Sequence, residues 1–332
     1  MVSPLFYKTL HLLSLDSKLT TKKLSKELQT SQQNISHIIK KAQEEEIITS
    51  YETVIDPSRF GYESFIVFLK IKNSSKRTLN KIEKLINETH DITACYLLFG
   101  NYEFLLKFSC LNTSSFNKSF KEFLNKITEF LIDVTVLTQI VEYYATPSYI
   151  SSKRLRETIL TGADRSLLSI SKKELKVLSL IQDNSRISSS RVAIEMQTTA
   201  KTIISTIKKL EEKEIIKGSI ITYHPEKMDV EQYLLFLRIS FDQNEKELVR
   251  FLKTHQNITK IIKVFGEWDI IVQFETFNHS QLQDCLEDIK EEFNIINYNY
   301  TTIVRRLFWR TMPLLKNSPL PHQHQLVLES EE

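Results

Sequence analysis

The chain has 332 residues, a formal net charge of +3, and 41% hydrophobic and 26% charged residues. That length exceeds what one small core needs, and so slight a positive surplus admits nucleic-acid binding only through a local basic surface. Five glycines and three cysteines, none in a GxGxxG, GxxxxGK[ST] or CxxC arrangement, leave no phosphate-cradling loop, zinc site or disulfide framework, and no stretch approaches the ~20 apolar residues of a membrane span.

The start, Met1-Val2-Ser3-Pro4, has no basic region leading into an apolar run, so the chain is expected to be soluble and cytoplasmic with buried cysteines. Leu5 to Leu15 reads as an apolar helix and Leu19 to Leu28 as a short amphipathic one, with Leu24 and Leu28 one turn apart. Gln29-Thr30-Ser31 breaks the pattern, and Ser31 suits the N-cap of a third helix striped by Ile35, Ile38, Ile39 and Ala42. Three helices with a tight turn before the last predict a helix-turn-helix.

After a mixed segment ending at Asp56-Pro57, alternation takes over. Strands are expected over Ser64 to Lys72, Ala94 to Phe99, Tyr102 to Phe108 and Ile132 to Tyr144, and helices over Lys76 to Glu88 and Ser114 to Lys126. The order βαββαβ is that of a ferredoxin-like sandwich.

Then the series returns. Lys40-Lys41 through Ile47-Ile48 recurs as Lys208-Lys209 through Ile215-Ile216, 168 residues on, and Phe99-Gly100-Asn101-Tyr102-Glu103 recurs as Phe265-Gly266-Glu267-Trp268-Asp269, 166 residues on. Such a period predicts a duplicated domain pair. In the second copy Leu175, Leu178 and Ile181, then Val192 and Met196, then Ile203, Ile207 and Leu210 mark three helices, with Thr199 capping the third. Strands over Tyr233 to Phe241, Lys260 to Phe265, Trp268 to Phe274 and Ile295 to Trp309 alternate with helices over Glu245 to His255 and His279 to Glu292. The expected fold class is α+β: two copies of a three-helix, winged helix-turn-helix domain (residues 1–56 and 171–224), each followed by a ferredoxin-like sandwich (57–147 and 225–313). Residues 148–170, with Lys153, Arg154, Arg156 and Arg165, read as a linker, and 314–332 as a disordered tail.

Opposite the apolar stripes, the third helices carry Gln33, His37, Lys40 and Lys41 in one copy and Lys201, Ser205, Lys208 and Lys209 in the other. Hydrogen-bonding and cationic groups of this kind suit a helix that reads a DNA groove, lysines on phosphates and the others on base edges. Ser31, Gln32, Ser36, Thr199 and Thr202 complete the candidate DNA-binding set. A solvated lysine-rich face is the plainer account of either helix alone, but both copies place acids at the helix C-terminal end (Glu44 to Glu46, Glu211 to Glu214) and bases nearer the middle, against the dipole's preference.

Helix-turn-helix followed by βαββαβ resembles the Lrp/AsnC, or feast/famine, family of transcription regulators. The likeness is carried by Asp183-Asn184-Ser185-Arg186-Ile187-Ser188, close to D-x-x-R-I-S; by Lys209-Leu210-Glu211-Glu212-Lys213-Glu214-Ile215-Ile216, close to R-L-E-x-x-G-V-I; and by Gly266-Glu267-Trp268-Asp269, close to G-x-Y-D. The first copy departs further, with Asp16-Ser17-Lys18-Leu19-Thr20 and Glu103 at the matching places. Glu46 and Glu214 replace the family's glycine, so the third helices are expected to end without a left-handed glycine cap and with altered turn geometry.

The resemblance implies a sequence-specific, DNA-binding regulator that is a covalent pseudo-dimer, cytoplasmic and nucleoid-associated, with no enzymatic activity, cofactor or metal. It implies an amino acid or similar effector near the turn between the second and third sandwich strands, which points to Gly100, Asn101, Tyr102 and Glu103 with Gly266, Glu267, Trp268 and Asp269. A glycine hairpin with Tyr102 and Trp268 as core or interface aromatics is the alternative reading of the same residues. Double-stranded DNA and further copies of the chain are the implied partners. An architectural protein coating DNA is the alternative function. Sirohaem decarboxylases resemble the family in both domains but depend on histidines near the central strands, and Ile92 to Phe108 and Ile258 to Phe274 contain none.

Overall fold

The computed structural model describes residues 3–145, 159–242 and 244–313. Residues 148–158 of the expected linker, including Lys153, Arg154 and Arg156, and the expected tail lie outside the described residues.

The chain opens with three short helices, α1 (Pro4–Leu15), α2 (Thr21–Glu27) and α3 (Gln32–Glu44). Ser3, Thr20 and Ser31 cap them, each side-chain oxygen accepting an N–H of the first turn. Ile35, Ile38, Ile39 and Ala42 are buried on one side of α3. Strand β1 (Ile48–Ile55) follows, then β2 (Glu63–Ile71), α4 (Lys76–Asn87), β3 (Ile92–Phe99), β4 (Phe104–Cys110), α5 (Thr113–Ile127) and β5 (Leu131–Tyr144). Past a short strand β6 (Ile159–Gly162), the same order recurs as α6 (Lys172–Ile181), α7 (Ser189–Glu195), α8 (Ala200–Glu212), β7 (Ile216–Tyr223), β8 (Glu231–Ile239), α9 (Glu245–Thr254), β9 (Ile258–Phe265), β10 (Ile270–Thr276), α10 (Ser280–Glu292) and β11 (Ile295–Trp309). Ser171, Ser188 and Thr199 cap α6 to α8.

Each half's four sandwich strands lie in the order fourth, first, third, second: β5-β2-β4-β3 and β11-β8-β10-β9. The halves then join edge to edge, β3 with β11 and β9 with β5, so that eight strands close into a ring with β6 added on β5. Closure leaves neither sandwich an open edge in the ring. It also explains strands that are apolar on both faces: along β2, Phe65, Val67 and Leu69 pack under α4 and α5, while Ile66 and Phe68 point into the ring among Leu234, Phe236 and Trp268 from the other half.

The helical parts interlock as well. β1 pairs antiparallel with β7 in a two-stranded ribbon, Ile48 opposite Tyr223 and Ile55 opposite Ile216. The core under α1 to α3 takes in Ile221, Met228 and Val230 from the second half, and that under α6 to α8 takes in Ile55, Phe60 and Tyr62 from the first. Ser17 N–H donates to the Ser219 carbonyl at 3.0 Å and Ser185 N–H to the Tyr51 carbonyl at 2.7 Å, while the Ser17 and Ser185 hydroxyls share a 2.7 Å hydrogen bond across a separation of 168 residues.

Three expectations change. The linker over 148–170 is interrupted by β6, and Ile170 is a buried member of the second helical core. The strand expected to run to Phe241 ends at Ile239 and leaves Phe241 exposed. On α6 the buried face is Glu174, Val177, Leu178 and Ile181, with Leu175 only half-buried, because the Ser171–Glu174 capping box turns the glutamate inward.

Candidate nucleic-acid interface and effector turns

All thirteen candidate DNA-binding residues are exposed: Ser31, Gln32, Gln33, Ser36, His37, Lys40 and Lys41 on or capping α3, and Thr199, Lys201, Thr202, Ser205, Lys208 and Lys209 on or capping α8. The stripe opposite them is what fixes this, since each helix can bury only the side bearing its isoleucines. The cap hydroxyls are engaged but not saturated. Ser31 Oγ accepts from Asn34 N–H at 3.1 Å and Thr199 Oγ1 from Thr202 N–H at 3.2 Å; the Ser31 hydroxyl still has its own proton to give, whereas that of Thr199 also shares a 2.9 Å hydrogen bond with the Thr202 hydroxyl.

The lysines lean on nearby acids. Lys40 meets Glu44 at 3.5 Å, Lys41 meets Glu45 at 3.7 Å and Lys208 meets Glu212 at 3.6 Å, all one turn apart. Lys209 reaches Glu174 of α6 at 3.4 Å. Burial acts to raise the Glu174 carboxyl, but the Ser171 backbone and hydroxyl, with Lys213 and Lys209, hold it below the ordinary value. Exposed pairs of this type hold their cations weakly, so the lysines can exchange a carboxylate for a phosphate at small cost.

Residue for residue, the candidate DNA-facing positions of the two helices match only in their lysines. Lys40 and Lys41 correspond to Lys208 and Lys209, whereas Gln33 corresponds to Lys201, Ser36 to Ile204 and His37 to Ser205. Ile204 was not anticipated. It is 57% exposed, a methyl-bearing side chain in a position that in the other half is polar, and an apolar residue on the solvent side carries no signal that distinguishes it from the core stripe. Asn34 and Arg191 are likewise exposed and absent from the expected set.

The two glycine turns are well defined. Gly100 and Gly266 have φ of 143° and 146°, and a Cβ on either would meet a strand of the opposite half, at 2.8 Å from Thr301 Oγ1 and 2.6 Å from Leu137 Cδ2 respectively. Glycine is therefore required for both conformation and approach. The acids of the turns are spent on backbone: Glu103 Oε2 accepts from Ile71 N–H at 2.6 Å and Asp269 Oδ2 from Ile239 N–H at 2.9 Å. Tyr102 hydrogen-bonds Thr135 through its hydroxyl, and Trp268 is buried inside the ring. Asn101 and Glu267 remain exposed, beside Phe99 and Phe265. Phe99 and Phe265 are 76% and 75% exposed.

Next to each exposed phenylalanine runs an apolar outer stripe: Ile132, Val136 and Ile140 on β5, which pairs with β9 at Phe265, and Ile296, Tyr300 and Val304 on β11, which pairs with β3 at Phe99. No helix of the described residues is long and apolar enough to cross a membrane.

Comparison with known proteins gives the same two parts. Residues 64–143 match the Lrp/AsnC ligand binding domain, and residues 170–217 match a winged helix-turn-helix DNA-binding domain. An uncharacterised HTH-type transcriptional regulator of Pyrococcus furiosus is 31% identical over 97 residues, which are 29% of this chain and 66% of that protein. The proline dehydrogenase transcriptional activator of Rhodobacter capsulatus is 21% identical over 121 residues, 36% of this chain and 79% of that protein. The chain thus spans 66% of the length of the Pyrococcus relative, just under two thirds. Among solved structures, the sirohaem decarboxylase NirDL aligns over 98% of this chain and 97% of its own at a TM-score of 0.61 and 12% identity, a likeness of fold. The chain therefore carries, in its first half, a segment that matches the Lrp/AsnC ligand binding domain and, in its second, one that matches a winged helix-turn-helix DNA-binding domain.

Proposed function

We propose that the chain is a sequence-specific regulator that acts as a covalent pseudo-dimer, with α3 and α8 as two unlike readers of DNA. The observation that carries this reading is the pattern of matches between the helices: lysines kept at both equivalent positions, as common phosphate contacts require, and different residues at the base-facing positions. Lys40, Lys41, Lys208 and Lys209 position the helices on the backbone, and Gln33, His37, Lys201 and Ser205 read base edges, with Ile204 available to a thymine methyl. Helices so paired enter successive major grooves roughly 34 Å apart.

The domain division given above, the duplicated helix-turn-helix and the effector site at Gly100–Glu103 and Gly266–Asp269 belong to the same proposal. Supporting the last is the exposure of Asn101 and Glu267 beside Phe99 and Phe265. The apolar stripes on β5 and β11 favour association of further copies at these turns, since clustered exposed apolar side chains mark interaction surfaces.

Selection of bound genomic fragments by the purified protein at two salt concentrations tests the reading. A motif with two unlike halves that survives the higher salt is expected. Binding without a motif that vanishes with salt would replace it with an architectural role. A second reading, an enzyme of the sirohaem decarboxylase kind, is favoured only by the near full-length likeness of fold; a tetrapyrrole absorption band and decarboxylation of an added iron tetrapyrrole would establish it.

A further inference from the structure

Inside the ring, the end facing the β1–β7 ribbon is polar. Glu142 on β5 is 2% exposed and receives Lys107 Nζ from β4 at 2.6 Å and Lys260 Nζ from β9 at 3.2 Å. Lys260 Nζ also reaches the Tyr96 hydroxyl at 3.4 Å. Burial would raise the Glu142 carboxyl, but the two ammonium groups outweigh it and hold it at about 2. Glu275 on β10 is as deeply buried, its oxygens taking hydrogen bonds from Tyr223, Gln232 and Gln273 at 2.8, 2.7 and 3.2 Å. On β11, Arg306 donates no hydrogen bond to any described residue, and its charge pulls on Glu52 of the ribbon. Burial pushes that glutamate up to about 7, against the pull of Arg306, so near neutral pH it is only partly charged.

These groups border empty space. A cavity of about 400 Å³ lies between ribbon and ring, with Arg306, Lys260, Gln273, Glu275, Tyr96 and Trp309 on the ring side and Lys217 to Tyr223 of β7 as its roof. A smaller one, about 30 Å³, continues past Lys260, Gln273 and Trp309 to Lys107, Glu142 and Gln139. Gln139 Oε1 is buried there with no hydrogen-bond partner among the described residues. Lys107 and Lys260 share Glu142, whereas Arg306 borders the larger cavity, which Asp16, Lys18, Glu211, Lys217 and Glu226 also line, with no hydrogen-bonded carboxylate of its own; a half-buried cation so placed is stabilised by an anion that enters beside it. A volume of this order suits a small molecule.

The cluster is also a product of divergence between the halves. Equivalent strands lie opposite one another in the ring, and register pairs Glu142 with Ile262 and Arg306 with Tyr96, which makes Glu142 and Arg306 counterparts. By the same repeat Lys260 answers Ala94, Lys107 answers Gln273 and Glu275 answers Ser109. Unlike residues at each pair give one site per chain.

We propose that the ribbon end of the ring binds one small organic anion per chain, its carboxylate or phosphate held by Arg306 and Lys260 beneath β7. This site is separate from the hairpin turns and does not depend on whether the chain reads DNA. The test is titration of the full chain with L-glutamate, 2-oxoglutarate, acetate and inorganic phosphate, read by calorimetry and by emission of Trp309, which lines both cavities. Saturable binding of at least one anion at one per chain is expected, weakened at least tenfold in Arg306→Gln and less in Arg306→Lys. A carboxylate winner against a phosphate winner identifies the source of the anion. No saturable response to any of the four, two sites per chain, or unchanged binding in a folded Arg306→Gln protein would overturn the proposal. The wild-type stoichiometry and Trp309 response decide the matter even if the variants fail to fold.

Discussion

Glu46 and Glu214 stand where glycine would be easiest, at φ of 53° and 54°. Both helices nonetheless end in the double hydrogen bond of a left-handed cap: Ile47 N–H to the Ala42 carbonyl with Glu46 N–H to Gln43, and Ile215 N–H to Leu210 with Glu214 N–H to Glu211. The turn geometry expected to change is therefore intact, at the strain of a side chain in left-handed backbone, and the reason for glutamate lies in the other half. Glu46 meets Lys227 at 2.7 Å and Glu214 meets Arg59 at 2.6 Å, with Arg165 and Lys217 each at 3.3 Å. The pairs are equivalent but differently placed, for the Arg59 side chain is 11% exposed and that of Lys227 37%. Glu46→Gly should then be neutral or stabilising, while Glu214→Gly, which takes a carboxylate from a buried guanidinium, should destabilise. Equal effects in denaturant unfolding would refute this account. Glu52 carries a pH signature. Its carboxyl, 8% exposed and facing Arg306 with Asp183 nearby, sits at about 7 against an ordinary 4.5. The folded state therefore binds its proton more tightly, so stability is lost as pH rises from 4.5 through 7. Glu52→Gln should match wild type at pH 4 and exceed it at pH 8 by on the order of 3 kcal/mol; a gain independent of pH would place the proton elsewhere.

At the level of elements, the helices and most sandwich strands were legible because each buries a face through its own period, and their caps are local. Ser31 shows the limit of that legibility. Its hydroxyl serves the α3 N-terminus at 3.1 Å from Asn34 N–H whether or not it also meets DNA. Ser31→Ala and Thr199→Ala should each cost about 1 kcal/mol in thermal unfolding without DNA, and any further loss of DNA affinity belongs to contact rather than capping. No loss of stability would show that the caps are redundant. Two features were not legible. Strands β1 and β7 were read only as mixed segments, since each finds its partner in the other half, across the whole intervening chain. Residues such as Lys260, Gln273 and Glu275 look like the solvent side of a strand by alternation. Ring closure turns that side inward, and no local pattern announces closure. The same fact hides the cavity, whose walls come from both halves, whereas the glycine signature of the hairpin turns is contiguous in sequence.

At the scale of the molecule, the ring asks why two unlike halves pair with each other rather than with themselves. Two N-terminal halves would place two copies of Glu142 and Lys107 at the ribbon end, with no Lys260. Two C-terminal halves would place two copies each of Lys260 and Arg306 there with no Glu142, so that neither Lys260 would keep the buried carboxylate that the native pairing gives it. Burying unpaired like charges is among the stronger forces against a wrong partner. Residues 1–147 and 148–332 expressed as separate chains should therefore assemble one to one when mixed, whereas 148–332 alone should dimerise weakly or aggregate. Glu142→Gln in the N-terminal chain should weaken the mixed assembly by on the order of 3–5 kcal/mol, because it strips both lysines of their shared acid. Sedimentation of the mixture and of each half reads this directly. A C-terminal homodimer as stable as the mixed pair would mean that ring closure is held by the apolar interior of Phe68, Phe236 and Trp268, with the charge pattern then serving a ligand alone.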